Sequence, residues 1–390
     1  MVPLRVALIT ARFWPLVGGV ENTMATLATG LRTRGDAPLI ITARWHADWP
    51  QQAQYQGTPV VRLAPSPESR IGRLRYWAAL HGWLRRHRRD LDVVCVSQLR
   101  MESYVTVGAL SGSGVPVVLR AERAGINGDC QWQQTRRLGG WVRRRCRAAA
   151  ALIGNGRAAH RELLAADFPS ARVCLIDPGI AAGPPPRPLQ RWEARAAIAE
   201  VNPDLLALED TAVVVFVGRL TPEKRLLSLL RSWPSVLRRR PLTRLWLIGD
   251  GPQRETLYQA IRDLDLQHHV FMPGTFDDVR DVLTAANVFV YPADDEGVPR
   301  ALLEAIAAGL PVVAADTADL RECPAIGPDH AALVPARDGQ QLAEAIVRYL
   351  EHPPDEAILT GARRRVLQEF SVHRMVEQHS ALFHSLIGRS

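Results

Sequence analysis

Apolar residues along this chain fall into two alternating kinds of segment. Short continuous runs rich in Val, Ile and Leu read as strands buried on both faces, the pattern of a parallel sheet. Between them lie longer stretches whose apolar positions recur three and four apart, the spacing of a helix with one buried face. In the first half the runs fall at 5–10, 39–42, 93–97, 115–119, 152–154 and 173–176, with helical stretches at 73–88, 131–147 and 157–166. The stretch after the first run places Met24, Leu27, Ala28 and Leu31 on one face and stops at Gly35-Asp36. This alternation predicts a doubly wound α/β unit.

Residues 181–188 read Ala-Ala-Gly-Pro-Pro-Pro-Arg-Pro, too rich in Pro for a core element, and predict a stiff linker over 181–192. Runs then resume at 213–217, 245–248, 270–274, 288–291 and 312–315, with helical patterns at 277–286, 340–351 and 355–370. A last helical stretch, 372–387, carries Met375, Val376, Leu382, Phe383 and Leu386. The expected architecture is therefore α/β with two Rossmann-like units, 1–180 and 193–370, and a terminal helix at 371–390. With 390 residues, each unit is long enough to bury its own core.

The richest chemistry lies around 288–316. Pro299 fits a first helical position, and Gly309 with Pro311 fits the stop. The N–H groups of Arg300, Ala301 and Leu302 would then open at the positive end of the helix, an anion site. Glu296 and Glu304 flank it, and carboxylates beside an anion site suit neutral hydroxyls, Glu304 for a ribose and Glu296 for a hexose. Ahead of these, Gly218-Arg219-Leu220-Thr221-Pro222-Glu223-Lys224 follows a buried run. Thr221 reads as a cap with Pro222 as the first helical residue, and Arg219 and Lys224 as cations for a diphosphate. In the first half Gly18-Gly19 stands at a strand-to-helix turn, where missing side chains let a phosphate approach the backbone. The spacing is not that of the usual dinucleotide fingerprint.

In register, Glu296, Gly297, Pro299, Leu303, Glu304, Ala305, Ala307, Gly309, Pro311, Val312, Val313 and Ala314 match E-G-x-P-x-x-x-L-E-A-x-A-x-G-x-P-V-V-A. This resembles the donor-site signature of retaining glycosyltransferase family 4, of the GT-B fold. Residues 217–224 are similar to the family's V-G-R-L-x-x-x-K, 249–252 to its G-D-G-P and 15–21 to its P-x-x-G-G-x-E, while 176–181 match its I-P-N-G-V-D only in part. The resemblance is weakest over 51–73.

It implies two Rossmann-like domains facing across a cleft, with the final helix crossing back to the first. A UDP- or GDP-linked sugar would sit mainly on the second domain, against Gly218, Arg219, Lys224, Gly249, Gly274, Gly297, Val298, Pro299, Arg300, Ala301, Leu302 and Glu304, with Gly18 and Gly19 contributed by the first. Arg219, Lys224 and Glu296 would be catalytic, with no cofactor and no metal, and a saccharide or lipid-linked acceptor would lie on the first domain. One departure stands out. Many members carry a His after the strand expected here at 115–119, whereas this chain continues Arg120-Ala121-Glu122-Arg123 and has no His until His160. Arg120, Glu122 and Arg123 are the candidates to meet the sugar or acceptor there, against the alternative of a solvated charged run.

The net charge of +8 is carried mostly by Arg, clustered over 85–89 and at Arg136, Arg137, Arg143, Arg144, Arg145 and Arg147. Such clusters suit an anionic membrane surface, a phosphorylated acceptor or nucleic acid, against the alternative of arginines decorating solvated helix faces, and no nucleic-acid motif accompanies them. Five cysteines, odd in number and without C-x-x-C, argue for a reducing compartment and against a disulfide framework or zinc site. No stretch approaches the roughly 18 apolar residues of a membrane span, and the first apolar run is too short for a signal segment. A cytoplasmic enzyme, peripheral at the inner membrane face, is the resulting expectation. A glycoside hydrolase using Glu296 and Glu304 fits poorly, because eight helical residues rise roughly 12 Å, beyond the carboxyl separations of about 5–9.5 Å that hydrolysis uses. A GT-B epimerase or phosphorylase, or a non-catalytic sugar-nucleotide-binding protein, are the other readings.

Overall fold

The computed structural model describes residues 3–388 apart from 17, 66, 67, 182, 184–187, 277 and 294–296. The chain forms two compact units, one of Met1–Gly179 with Val372–Ser390 and the other of Ile180–Ser371.

The first unit runs β1 (Arg5–Ile9), α1 (Gly19–Thr33), β2 (Ala37–Arg44), β3 (Gln52–Tyr55), β4 (Thr58–Pro65), α2 (Arg70–His87), β5 (Val93–Ser97), α3 (Met101–Ala109), β6 (Val117–Ala121), α4 (Asp129–Thr135), α5 (Gly139–Cys146), β7 (Ala151–Asn155), α6 (Arg157–Ala165) and β8 (Val173–Ile176). Among the described residues its sheet has eight strands in the order β3-β4-β2-β1-β5-β6-β7-β8. All neighbours are parallel except the β3–β4 hairpin at the edge.

The second unit runs α7 (Pro188–Val201), β9 (Ala212–Val217), α8 (Leu226–Arg239), β10 (Thr243–Ile248), α9 (Arg254–Asp263), β11 (Val270–Gly274), α10 (Arg280–Ala285), β12 (Val288–Tyr291), α11 (Arg300–Ala307), β13 (Val312–Ala315), α12 (Ala318–Arg321), β14 (Ala331–Val334), α13 (Gly339–Glu351) and α14 (Glu356–Glu369). Its six described strands are all parallel, in the order β11-β10-β9-β12-β13-β14. A final helix, α15 (Val372–Ile387), belongs to the first unit. Its Met375, Val376 and Phe383 join Met24, Leu27 and Leu31 of α1 in one buried cluster. The two helices meet at Gly30, where an added Cβ would stand 2.3 Å from Val376 Cγ2. The sheets owe their parallel form to the continuous apolar runs, since β5, β12 and β13 are buried along their whole length.

Several expectations shift. The hairpin β3–β4 lies in the stretch where no element was legible, because β3 is an edge strand, alternately exposed and half-buried, without an apolar run. The expected strand 115–119 is β6, two residues later, so Arg120 is a strand residue rather than part of a loop. The single helix expected at 131–147 is divided into α4 and α5. Gly139 sits at the break, where a Cβ would lie 2.1 Å from the Gln133 carbonyl oxygen. The linker expected over 181–192 ends sooner, since α7 begins at Pro188, a residue whose fixed φ suits a helix start.

Candidate active site

In an open parallel sheet, ligands bind beyond the carboxyl ends of the strands at the point where strand order reverses. In the second unit that point lies between β9 and β12, and the segments leaving these two strands are 218–225 and 292–299. The first is built on glycines. Gly218 and Gly249 have φ of +157° and +140°, and a Cβ on Gly249 would stand 1.9 Å from the Gly218 carbonyl oxygen. Only glycine fits that contact. Gly218 N–H donates to Ile248 O (3.0 Å) and Gly249 N–H to Gly274 O (2.8 Å), tying three strand ends together. Leu220 N–H donates to Asp250 O and Leu220 O accepts from Gln253 N–H, both at 3.0 Å. The Gly-Asp-Gly-Pro turn is thus the clamp on the loop that carries Arg219.

Pro222–Lys224 form one 3₁₀ turn, Thr221 stands ahead of it without a side-chain capping bond, and Arg225 is left-handed (φ 53°, ψ 31°) before α8 begins. Arg219 and Lys224 therefore flank a short turn, not the first turn of a long helix as expected. Their environments differ. Arg219 is exposed, whereas Lys224 is only 7% exposed and its ammonium donates to the hydroxyl of Tyr291, at the end of β12.

Beyond β12, Pro299 is the N-cap of α11 and Arg300 its first residue, one position later than expected. Leu302 N–H already donates to Pro299 O at 3.1 Å, so the open end of the helix is narrower than the three amides expected from sequence. Arg300 Nε pairs with Glu304 Oε1 at 2.8 Å, with both side chains about one-fifth exposed (22% and 21%). Gly297, Val298, Pro299, Arg300, Ala301 and Glu304 are half-buried and Leu302 is buried. Glu296, with Asp294 and Asp295, lies outside the described residues. Among the described residues, no group of three His, Cys, Asp or Glu side chains is placed to hold a metal ion.

In the first unit, Gly18 is the extended N-cap of α1 and Gly19 opens the helix, with nothing within 4 Å of an added Cβ at Gly19. At the end of β6 the charged run is not solvated. Arg120 is fully buried, and its guanidinium donates from Nε to Glu122 Oε1 (3.0 Å) and from Nη2 to Glu122 Oε2 (3.4 Å). Arg120 Nη1 reaches His379 Nε2 of α15 at 2.8 Å. His379 Nδ1 lies 2.7 Å from Met375 O, so Nδ1 carries the proton and Nε2 accepts from Arg120. Asn155 Nδ2 donates to Glu122 Oε2 (3.1 Å), and Glu122 N–H to Asp129 Oδ2 (2.7 Å). Burial pushes the Glu122 carboxyl up, opposed by Arg120, and burial likewise raises Asp129. Burial, then repulsion from Arg120, pulls His379 down to about 3. Of the three residues expected to face a ligand here, only Arg123 is exposed. The sequence had pointed to neither Tyr291, which ends a strand run, nor His379, which is 259 residues from the arginine it touches.

The chain matches two family descriptions, "Glycosyltransferase Family 4" over residues 17–183 and "Glycosyl transferases group 1" over 211–352, which together take in most of its length. The chain belongs to glycosyltransferase family 4. Among curated relatives of this family 4 member, it is 30% identical to the putative colanic acid biosynthesis glycosyltransferase WcaL of Salmonella typhimurium, over 44% of this chain and 45% of that one. It is 27% identical to a GDP-mannose-dependent alpha-mannosyltransferase of Mycobacterium tuberculosis, over 94% of this chain and 93% of the relative. The chain spans less than half the length of the first curated relatives it matches. Among solved structures, sucrose-phosphate synthase of Thermosynechococcus elongatus superposes with a TM-score of 0.79 at 20% identity, covering 99% of this chain and 100% of that one. HepE of Anabaena, in complex with UDP and glucose, gives 0.76 at 17% identity over 98% and 100%. The fold is GT-B.

Proposed function

We propose that this family 4 member transfers a hexosyl group, with retention of configuration, from a UDP- or GDP-linked sugar to a hydroxyl of a saccharide, lipid-linked or small-molecule acceptor. The observation that carries the proposal is the pair of cations at the β9–β12 switch point, Arg219 on a glycine-clamped loop and the buried Lys224 behind it. Departure of the diphosphate is the costly event, and fixed positive charge aimed at it is the strongest stabilisation a protein offers. Glu304 turns one oxygen to Arg300 and takes the ribose hydroxyls with its other. Glu296 holds the transferred sugar. The acceptor oxygen attacks from the face the nucleotide leaves, and its proton passes to the departing phosphate. Arg219 and Lys224 do the work that a metal does elsewhere, so transfer is metal-independent. A relative named as GDP-mannose-dependent and a structural neighbour holding UDP support a nucleotide-diphosphate donor. Turnover with a panel of UDP- and GDP-sugars, with and without EDTA, tests this reading. Transfer that survives chelation is expected. Activity lost with EDTA and restored by Mg²⁺, or no transfer from any donor, sinks it.

We propose further that the first unit meets an anionic membrane through α5. Trp141 and Leu138 are 71% and 54% exposed, beside the exposed Arg136, Arg137, Arg144 and Arg147. Trp132, by contrast, is only half-buried at the surface and lies under the Arg100 guanidinium. No helix of the described residues is long and apolar enough to cross a membrane, so contact would be interfacial. Binding to phosphatidylglycerol vesicles should fall steeply with salt and be weakened by Trp141→Ser. Equal partition into neutral and anionic vesicles would contradict it.

A further inference from the structure

We infer that Tyr291 is a positioning residue for Lys224, holding its ammonium where the leaving diphosphate forms; the inference rests on the donor-site reading above. A lysine side chain has four rotatable carbons and a strongly hydrated head, so an unsupported one is spread over many rotamers. Lys224 is instead 7% exposed, and its Nζ donates to the phenol oxygen and stands 4.8 Å from the Tyr291 ring centroid. The phenol itself has little freedom. Its ring lies near-parallel to those of Phe216 of β9 (5.8 Å, 18°) and Phe289 of β12 (6.4 Å, 10°) and is 3% exposed. The hydroxyl position is therefore set by the two strands that flank the switch point, and the lysine head is set by the hydroxyl.

Tyr291 engages one of the three ammonium N–H groups. A cation ordered during folding needs no reorganisation when charge develops on the diphosphate.

Tyr291→Phe keeps the aromatic stack and removes only the hydroxyl, so the fold should survive it. Titration calorimetry with UDP and with GDP reads the effect. Tyr291→Phe is expected to weaken the bound nucleotide about tenfold, the loss of one hydrogen bond to a charged group. Lys224→Ala weakens it at least as much, and adding Tyr291→Phe to Lys224→Ala changes nothing further. That non-additivity is what a merely structural tyrosine would not produce. Wild-type affinity in Tyr291→Phe, where Lys224→Ala is impaired, overturns the inference and leaves the donor site standing. An undiminished effect of Tyr291→Phe on the Lys224→Ala background also overturns it. Wild-type affinity in Lys224→Ala, or no binding of either nucleotide to the unaltered chain, overturns the donor-site reading itself and this inference with it.

Discussion

Lys224→Ala is expected to lower kcat/KM by about 10²–10³, the cost of deleting one preorganised donor to a developing charge. Arg219→Ala should fall in the same range, for a different physical reason. The Lys224 ammonium is almost removed from water, where Coulomb attraction to a phosphate is far less screened than at the surface. Arg219 is exposed and has no carboxylate partner among the described residues, so its guanidinium fork is available to close bidentately on the diphosphate. In the proposed reaction both act on charge that grows as the bond to the sugar breaks. The loss should therefore appear more in kcat than in KM, since an interaction stronger in the transition state than in the ground state moves kcat. Lys224→Arg should not rescue, because a planar fork cannot replace a point charge in a nearly closed site against Tyr291. Steady-state kinetics on the three variants decide the matter. Wild-type kcat/KM in Lys224→Ala or Arg219→Ala would remove that residue from the site.

These residues were legible because their placement is local. A continuous apolar run followed by Gly-Arg-Leu-Thr-Pro fixes a strand, then a turn at its carboxyl end, and the backbone of a parallel sheet does the rest. The Gly-Asp-Gly-Pro turn was legible as a turn but not as a clamp, because its reason is a carbonyl 1.9 Å from where a Cβ would be, on another strand. Helix boundaries erred by a residue at Pro299, where the proline caps the helix without entering it. The larger miss was β6. An arginine in a buried strand contradicts the apolar pattern, so on sequence alone the run ends at Leu119 and the charged residues beyond read as facing solvent or ligand. What makes Arg120 tolerable inside is a carboxylate two residues on and an imidazole from the last helix, and no sequence spacing announces a partner 259 residues away. Lys224 and Tyr291, 67 residues apart, escaped for the same reason.

The buried triad gives the second large effect. Arg120→Met should destabilise the first unit by about 3–5 kcal/mol, because it strands Glu122 as a buried charge rather than because the pair itself is worth that much. The Glu122 side chain is 1% exposed, and with the guanidinium gone its carboxylate keeps only Asn155 Nδ2 as a side-chain donor among the described residues. Arg120→Met with Glu122→Gln should recover much of the loss, since removing both charges removes the desolvation penalty with them. The unit's calorimetric transition is the observable, as two compact units need not melt together. The acid limb carries a further signature from His379. Its folded value, about 3, lies below the ordinary 6.5, so the unfolded chain takes up a proton that the folded chain refuses between those values. The stability His379 contributes is complete above pH 6.5 and is lost as pH falls toward 3, at up to about 1.4 kcal/mol per pH unit. Glu122 and Asp129, held above their ordinary values, act with the opposite sign, stabilising below the unfolded carboxylate range and losing that contribution as pH rises through their folded values. His379→Gln keeps an acceptor for Arg120 and leaves both carboxylates in place, so the difference between it and the unaltered chain isolates the imidazole. That difference should move in favour of the variant as pH falls from 6.5 to 4. A gap that stays constant over this range would mean that His379 is protonated in the fold, and that Arg120 is held by Glu122 alone.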